Sequence, residues 1–266
     1  MTLDEALATL TAAAEPGRAE GMQAYHKVPR PYLGLPNPAI NDISEGWRKT
    51  LSLEERLSLA EALWNTNIFE ARIAAAKLLT QARIRPDGAV WALITSWLPD
   101  LDSWAIADHA MMAGQRRVTA DLARIDEVET WTKGESHWIR RAAMVITLPF
   151  TKQNFPSPAE IAVRERVMGW AADYVRDPEW FIQKSVAWWL RELSKHDPER
   201  VVYFLQNHAK FMKPFARREA EKFLTLGAAQ PAGTSGAQPA GTSGAQPAAT
   251  PGAALPQVEN EIETDA

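Results

Sequence analysis

The sequence predicts an all-α protein, and three observations support that fold class. From residue 53 to residue 224, apolar side chains recur three or four positions apart in one segment after another, which is the period of an amphipathic helix. No stretch alternates apolar and polar residues over a useful length, as a half-buried strand would. Val and Ile are not clustered, although β-branched residues are enriched in strands. We therefore expect helices throughout the folded part of the chain.

The N-terminal region is predicted to combine two short helices with an extended connection. Residues 2–5 have the pattern of a capping box, in which the side chains of Thr2 and Glu5 each bond a free backbone N–H of a helix that runs to about residue 14. A second short helix is predicted over residues 22–26. Four prolines and a glycine in residues 28–38 exclude a regular helix, so this segment should be extended.

The remaining helices follow one another with short breaks and are expected to form repeats. They are predicted at residues 53–64, 68–81, 88–98, 103–112, 118–124, 127–131, 136–148, 159–176, 180–195, 198–208 and 213–224. These helices occur in pairs at roughly 35 to 45 residues per pair, the spacing of HEAT-type repeats. Three segments share an order of basic, then small, then large apolar residues, as copies of one second helix would: residues 70–79, 138–145 and 182–190. Stacked pairs of this kind curve into a superhelix with a concave face.

The composition excludes several classes of function. The chain has 266 residues, of which 46% are hydrophobic and 11 are Trp, so it can bury a substantial core. It has no Cys, which excludes thiolate nucleophiles, disulfides and cysteine metal sites. The five His show no His-x-x-x-His spacing, and there is no Gly-rich phosphate loop, so we expect neither a metal nor a cofactor. No segment has the length and hydrophobicity of a membrane span, so we expect a cytoplasmic protein that does not bind membranes.

Charge and composition divide the chain into two parts. Residues 227–266 repeat an Ala/Gly/Pro/Gln-rich unit, end in acidic residues and contain no Lys or Arg, so we expect a disordered tail. The folded domain should then span residues 1–226, where basic and acidic side chains balance at 29 each. Residues 131–226 hold 16 basic and 11 acidic side chains, which suggests one positively charged surface.

The helix predicted at residues 180–195 carries two different faces. One stripe has the spacing of a core face: Ile182, Val186, Trp189 and Leu193. A second stripe, about 200° around the helix, carries three cations and an indole: Lys184, Trp188, Arg191 and Lys195. Cations beside an aromatic plate suit a polyanion with a sugar or base to pack on. In the alternative interpretation, the next helix covers Trp188 and the cations are ordinary solvated charges.

Two other helices carry side chains suited to the same ligand. Trp104 and Asp108 are one helical turn apart and therefore share a face. Arg141 lies about 200° from Ile139, which is part of the core stripe of its helix, and should point outward. A carboxylate between aromatic walls is suited to stabilising a developing cation or aligning a water, as in cleavage of a glycosidic bond. Each of these side chains would also be ordinary as a solvated surface residue.

These residues carry a resemblance to a known family. The matching stretches are residues 32–35 (Tyr-Leu-Gly-Leu), 102–108 (Asp-x-Trp-x-x-x-Asp), 138–143 (Trp-x-Arg-Arg-x-Ala) and 181–192, of which the last is the most specific. From about Met22 to Leu224, the chain resembles the DNA alkylation repair family of AlkD-like glycosylases. Those are HEAT-like repeat proteins that excise N3- and N7-alkylated purines. The resemblance implies that this chain cleaves the N-glycosidic bond of such purines in duplex DNA.

The resemblance also implies roles for particular residues. A carboxylate and two indoles would line the deoxyribose of the lesion: Asp108, Trp104 and Trp188. Arg141 would hold a backbone phosphate, with Arg140 as the other candidate of the pair, and Lys184 and Arg191 are further expected DNA contacts. We expect a monomer whose partner is double-stranded DNA containing alkylated bases. The competing hypothesis is a non-catalytic HEAT-repeat module that binds nucleic acid or a protein partner, since helical repeats commonly act as scaffolds.

Overall fold

The computed structural model of the protein describes residues 1–224, and these residues are all-α, as the sequence predicts. They form thirteen α-helices and three short 3₁₀ turns and contain no strand. The helices are α1 (Leu3–Ala12), α2 (Arg18–His26), α3 (Asn37–Thr50), α4 (Leu53–Asn65), α5 (Phe69–Leu79), α6 (Gly88–Ser96), α7 (Trp104–Ala120), α8 (Arg124–Trp131), α9 (His137–Ile146), α10 (Pro158–Tyr174), α11 (Trp180–Ser194), α12 (Pro198–His208) and α13 (Pro214–Glu221). None of these helices is long and apolar enough to cross a membrane. The tail predicted at residues 227–266 lies outside the described residues.

The helices stack as a repeat of hairpins. One row is continuous: α3 packs on α5, α5 on α7, α7 on α9, α9 on α11 and α11 on α13. We call these six helices the odd row. The intervening helices pack against this row, with α4 on α5, α6 on α7, α8 on α9, and both α10 and α12 on α11. The three segments that the sequence predicts to be copies of one helix are α5, α9 and α11, all in the odd row.

Small residues let the odd row pack closely. Every residue of α5 except Lys77 is buried, because neighbours cover this helix on several sides. In α7, a Cβ added to Gly114 would lie 2.6 Å from Cδ1 of Ile146 on α9. A larger residue at position 114 would require the side chain of Ile146 to shift. Gly114 therefore lies inside a helix at a packing contact.

One of the sequence-based helix predictions is wrong, and one helix was missed. The helix predicted at residues 118–124 does not exist, because α7 continues to Ala120 and α8 begins at Arg124. Helix α3 was not predicted either, since the prolines at its start suggested an extended segment. Pro38 lies in the first turn of α3, where the missing N–H costs no helical hydrogen bond. The buried residues of α3 lie on one face at helical spacing: Ile40, Ser44 and Trp47.

The start of the chain is fixed by local hydrogen bonds and by one buried carboxylate. The predicted capping box of α1 is present, with Thr2 and Glu5 bonded reciprocally. The extended segment after α2 docks on α5, because Glu70 accepts hydrogen bonds from the backbone N–H groups of residues 33, 34 and 35 at 2.9, 2.6 and 3.2 Å. Gly34 has φ +90°, and a Cβ there would meet Ala19 N at 2.9 Å. This docking places the segment that follows α2 against α5.

Candidate nucleic-acid interface

The centre of the candidate site is an ion pair between two neighbouring helices of the odd row. Arg141 on α9 donates from Nε to Oδ1 of Asp108 at 2.8 Å and from Nη2 to Oδ2 at 2.7 Å. Its third nitrogen, Nη1, donates to the carbonyl of Phe181 in the first turn of α11 at 2.9 Å. Asp108 is 2% exposed and Arg141 5%. One guanidinium thus ties α7, α9 and α11 together and fixes the carboxylate in a single orientation.

The prediction that Arg141 points outward is wrong. It measured the direction of Arg141 from Ile139, a member of the predicted core stripe, but Ile139 is only partly buried. Helix α9 lies in the middle of the odd row, so α7 and α11 cover it on two sides. The side chain of Arg141 enters this contact. It is tolerated there because a carboxylate and a carbonyl accept three of its N–H groups.

Trp104 is positioned by the beginning of α7. Ser103 is the N-cap of this helix, and its Oγ accepts a hydrogen bond from Ile106 N. Trp104 follows as the first helical residue, half-buried, one turn before Asp108. Its ring centroid lies 6.4 Å from that of Tyr25 and 5.6 Å from that of His26. The last turn of α2 therefore supplies rings that flank Trp104, a contact that the sequence did not reveal.

The residues around Trp104 form a neutral aromatic wall. The rings of Tyr32 and Phe69 pack on each other at 5.0 Å, and Phe69 also lies 4.4 Å from His26. Burial, and to a smaller extent the Arg30 guanidinium, lowers the pKa of His26 to about 4, so its ring is uncharged at neutral pH. Arg30 itself pairs with Asp102, two residues before Trp104. These contacts anchor α2 beside the candidate site.

On α11, the assignment of the two adjacent tryptophans to different faces is confirmed. Trp189 is fully buried, whereas Trp188 is half-buried and packs on the edge of the core. Trp188 lies one turn after Lys184, on the same face. The ring pairs formed within residues 1–224 do not join Trp188 to Trp104, which lies two helices away along the odd row. Asp108 and Arg141 are therefore in direct contact, and the two indoles belong to separate helices around them.

The predicted cationic face of α11 is largely neutralised by carboxylates. Arg191 donates to Glu192 and to Glu219 of α13, and Lys195 also pairs with Glu192 at 3.0 Å. Lys184 has no carboxylate partner within residues 1–224, and its Nζ lies 4.9 Å from the ring centroid of Trp180. A charge pattern along one helix did not reveal the pairing of Arg191, because Glu219 comes from another helix.

Arg140, the second candidate for a phosphate contact, is also held by the protein. It pairs with Asp177 at 3.2 Å and donates to the carbonyls of Gly134 and Glu135 at 2.9 and 2.8 Å. Of the four cations predicted to bind DNA, only Lys184 is free of a carboxylate partner among the described residues. The electropositive surface is therefore smaller than the sequence suggests.

The fold and the site together define an all-α helical-repeat protein in which a buried carboxylate is fixed between neighbouring helices. The family model described as DNA alkylation repair enzyme matches residues 6–224, so the chain belongs to that family. No curated protein sequence matches the chain. Family membership supports a role in DNA alkylation repair.

Solved structures agree on the fold. A predicted DNA alkylation repair enzyme from Enterococcus faecalis is 23% identical, with a TM-score of 0.65, and the match covers 80% of this chain and 97% of that one. AlkD2 from Streptococcus mutans is 17% identical, with a TM-score of 0.58 and coverage of 84% and 100%. The smu.31 protein of Streptococcus mutans is 18% identical, with a TM-score of 0.54 and coverage of 70% and 92%. At these identities the likeness concerns the helical-repeat fold.

Proposed function

We propose that the protein is a DNA glycosylase that excises N3- and N7-alkylated purines from duplex DNA by cleaving the N-glycosidic bond. The observation that carries this proposal is the carboxylate of Asp108, which Arg141 holds rigidly one helical turn from the indole of Trp104. Membership of the DNA alkylation repair enzyme family is consistent with it.

The chemistry of the lesion explains why a single carboxylate is sufficient. An N3- or N7-alkylated purine is already cationic, so it leaves without protonation and no general acid is required. As the bond breaks, its electron pair leaves with the purine, which becomes neutral, and positive charge develops on the sugar. A fixed carboxylate stabilises that charge more than it stabilises the neutral ground state. Water from the solvent then adds to the anomeric carbon and loses a proton, which leaves an abasic sugar. Because Arg141 pre-orients Asp108, little reorganisation is needed in the transition state. The partly buried rings of Trp104 and Trp188 would supply apolar walls that limit water around the sugar.

Arg141 would link DNA binding to exposure of the carboxylate. In the free protein both oxygens of Asp108 accept hydrogen bonds from Arg141. A backbone phosphate that takes one of these donors would release one oxygen of Asp108 toward the sugar. Lys184, which has no acidic partner within residues 1–224, would contact a neighbouring phosphate. We assign Arg140 and Arg191 to the edge of the DNA contact, since each is already held by a carboxylate.

The test is incubation of the purified full-length protein with a duplex that contains N7-methylguanine, followed by measurement of the released base. We expect release by the wild-type protein and much slower release by Asp108→Asn. Tyr203→Ala, which changes an exposed residue of α12 away from the odd row, provides a matched control and should excise at the wild-type rate.

A second candidate function is a non-catalytic module that binds nucleic acid. The observation in its favour is that Asp108 is 2% exposed and that both of its oxygens are engaged, as expected for a structural ion pair. Tight binding of the lesion duplex without release of the base would support this module and refute the glycosylase.

A further inference from the structure

A row of aromatic side chains lies at the beginnings of three successive odd-row helices. α9 begins with His137 and Trp138, α11 with Trp180 and Phe181, and α13 with Pro214 and Phe215. The ring centroids of Trp138 and Phe181 are 4.7 Å apart, those of Phe181 and Trp180 are 4.9 Å apart, and those of Trp180 and Phe215 are 5.3 Å apart. These contacts make one continuous surface across α9, α11 and α13, which we call the aromatic edge.

Trp180 is the exposed member of this edge. Within residues 1–224, which contain all 11 tryptophans of the chain, Trp180 alone is exposed, with 44% of its surface accessible. The core does not require it, because α11 is already anchored by the fully buried Ile182, Val186 and Trp189. A large indole left in water at the start of a well-anchored helix is characteristic of a contact surface.

Two lysines contact the chain at or just before the exposed indole. Nζ of Lys184 lies 4.9 Å from the ring centroid of Trp180, and Nζ of Lys213 donates to the carbonyl of Pro178. Neither lysine pairs with a carboxylate within residues 1–224. The nearby acidic groups are Asp177, which pairs with Arg140, and the exposed Glu179. The edge therefore combines a flat apolar surface with a local excess of positive charge.

We propose that the aromatic edge binds an unpaired nucleotide of DNA, with its base stacked on Trp180 and its phosphate between the ammonium groups of Lys184 and Lys213. The side chain of Lys184 is flexible, so it can leave the indole for the phosphate while the base takes its place over the ring. Every base presents a π face, so this binding would tolerate any sequence. Two ammonium groups beside one exposed ring suit a phosphate attached to a base better than they suit the surface of a folded protein.

The aromatic edge is continuous with the candidate site. Phe181 belongs to the edge, and its carbonyl accepts the hydrogen bond from Arg141 that holds the Asp108 pair. A displaced nucleotide on Trp180 would therefore lie next to the duplex engaged at that pair. The inference rests on the proposed function only in taking DNA as the ligand, since it requires neither a lesion nor excision.

The experiment uses the full-length protein and undamaged DNA. A labelled oligothymidylate about ten nucleotides long lies within the site sizes of single-strand binders, and its affinity is measured by fluorescence anisotropy. We expect Trp180→Ala to weaken binding by about tenfold, as for loss of one stacked base. Lys184→Met should lower the salt dependence by roughly one ion. A duplex with one bulged 2-aminopurine reports stacking directly, and quenching of its fluorescence should be lost in Trp180→Ala.

Tyr203→Ala is the matched control, because Tyr203 is also an exposed ring, 61% accessible, with the Arg200 guanidinium 5.2 Å from its centroid. It lies on α12, outside the odd row, and its loss should leave single-strand binding unchanged. If Trp180→Ala and Tyr203→Ala bind the oligonucleotide equally well, the proposal is overturned. If Trp180-dependent binding persists in a protein that releases no alkylated base, the aromatic edge stands and the glycosylase proposal fails. Excision without Trp180-dependent binding would instead overturn the aromatic edge and support the glycosylase.

Discussion

Replacement of Arg141 by Met should lower the free energy of unfolding of the protein, even in the absence of DNA. Arg141 makes three charge-assisted or carbonyl hydrogen bonds of 2.7 to 2.9 Å, and its loss would leave the carboxylate of Asp108 buried without a partner. Removing one member of a buried ion pair costs roughly 3 to 5 kcal/mol. For a domain of this size, that corresponds to a fall in melting temperature of roughly 6 to 20 °C.

The double variant isolates the origin of this effect. Asp108→Leu combined with Arg141→Met removes both charges, so no unpaired ion is buried and much of the stability should return. Urea denaturation of the two single variants and the double variant forms a double-mutant cycle, and we expect a coupling free energy above about 2 kcal/mol. This measurement needs no DNA and is independent of the proposed reaction.

The result that would refute the reasoning is an Arg141→Met protein with nearly wild-type stability. In that case Arg141 would be a loosely held surface cation, as the sequence suggested. Its replacement would then act mainly on DNA, weakening binding to damaged and undamaged duplex alike and lowering the salt slope by about one ion.

Three further predictions concern the site and its surroundings. Asp108→Asn should lower single-turnover excision by about a hundredfold or more, with lesion-duplex affinity little changed, and excision at the wild-type rate would favour the non-catalytic module. Trp189→Ala should lower the free energy of unfolding by roughly 3 to 5 kcal/mol, because Trp189 is fully buried. Trp188→Ala removes a half-buried indole and should affect excision more than the melting temperature. Equal shifts in melting temperature for the two variants would contradict their assignment to different faces. Folding lowers the pKa of His26 from 6.5 to about 4. Between these pH values the imidazole is protonated in the unfolded chain but not in the folded one, so the free energy of unfolding should fall as the pH drops from 6.5 toward 4. Urea denaturation of wild type and His26→Gln across this range checks the effect, which should be smaller in the variant.

The sequence predicted those features that depend on one helix at a time. The 3.6-residue period distinguished Trp189 from Trp188, and the bounds of α12, Pro198–His208, agree with the prediction, because a proline at the first turn and Asp197 as N-cap mark its start. Helix α3 was missed because its prolines suggested an extended segment, although Pro38 lies in the first turn, where a helix tolerates it. The bounds of a helix can therefore be predicted from the sequence where the capping residues and the apolar period indicate the same helix.

Features that depend on several helices could not be predicted in this way. The period of α9 fixes the direction of Arg141 relative to its own axis, but it does not reveal that helices lie on both sides of α9. Arg191 likewise meets Glu219, which is 28 residues away in the chain. The ring contacts of Trp104 come from α2, and the segment that follows α2 docks on Glu70 of α5. To predict any of these contacts, one must know which helices are neighbours in the structure.

Arginine and lysine side chains lie in different environments in this chain, whose net charge is −4. The side chains of several arginines are buried, where they hold backbone carbonyls or carboxylates, as Arg117 and Arg141 do, whereas no lysine is buried within residues 1–224. The planar guanidinium suits such fixed contacts because it donates in several directions and is weakly hydrated, while an ammonium group is a mobile point charge that stays in water. Within residues 1–224, Lys184 and Lys213 have no carboxylate partner to exchange for a phosphate, whereas Arg141 would first give up a hydrogen bond to Asp108. The salt dependence of DNA binding should reflect these few lysines rather than the total number of basic residues, and specificity would then come from the indoles and the fixed carboxylate beside them.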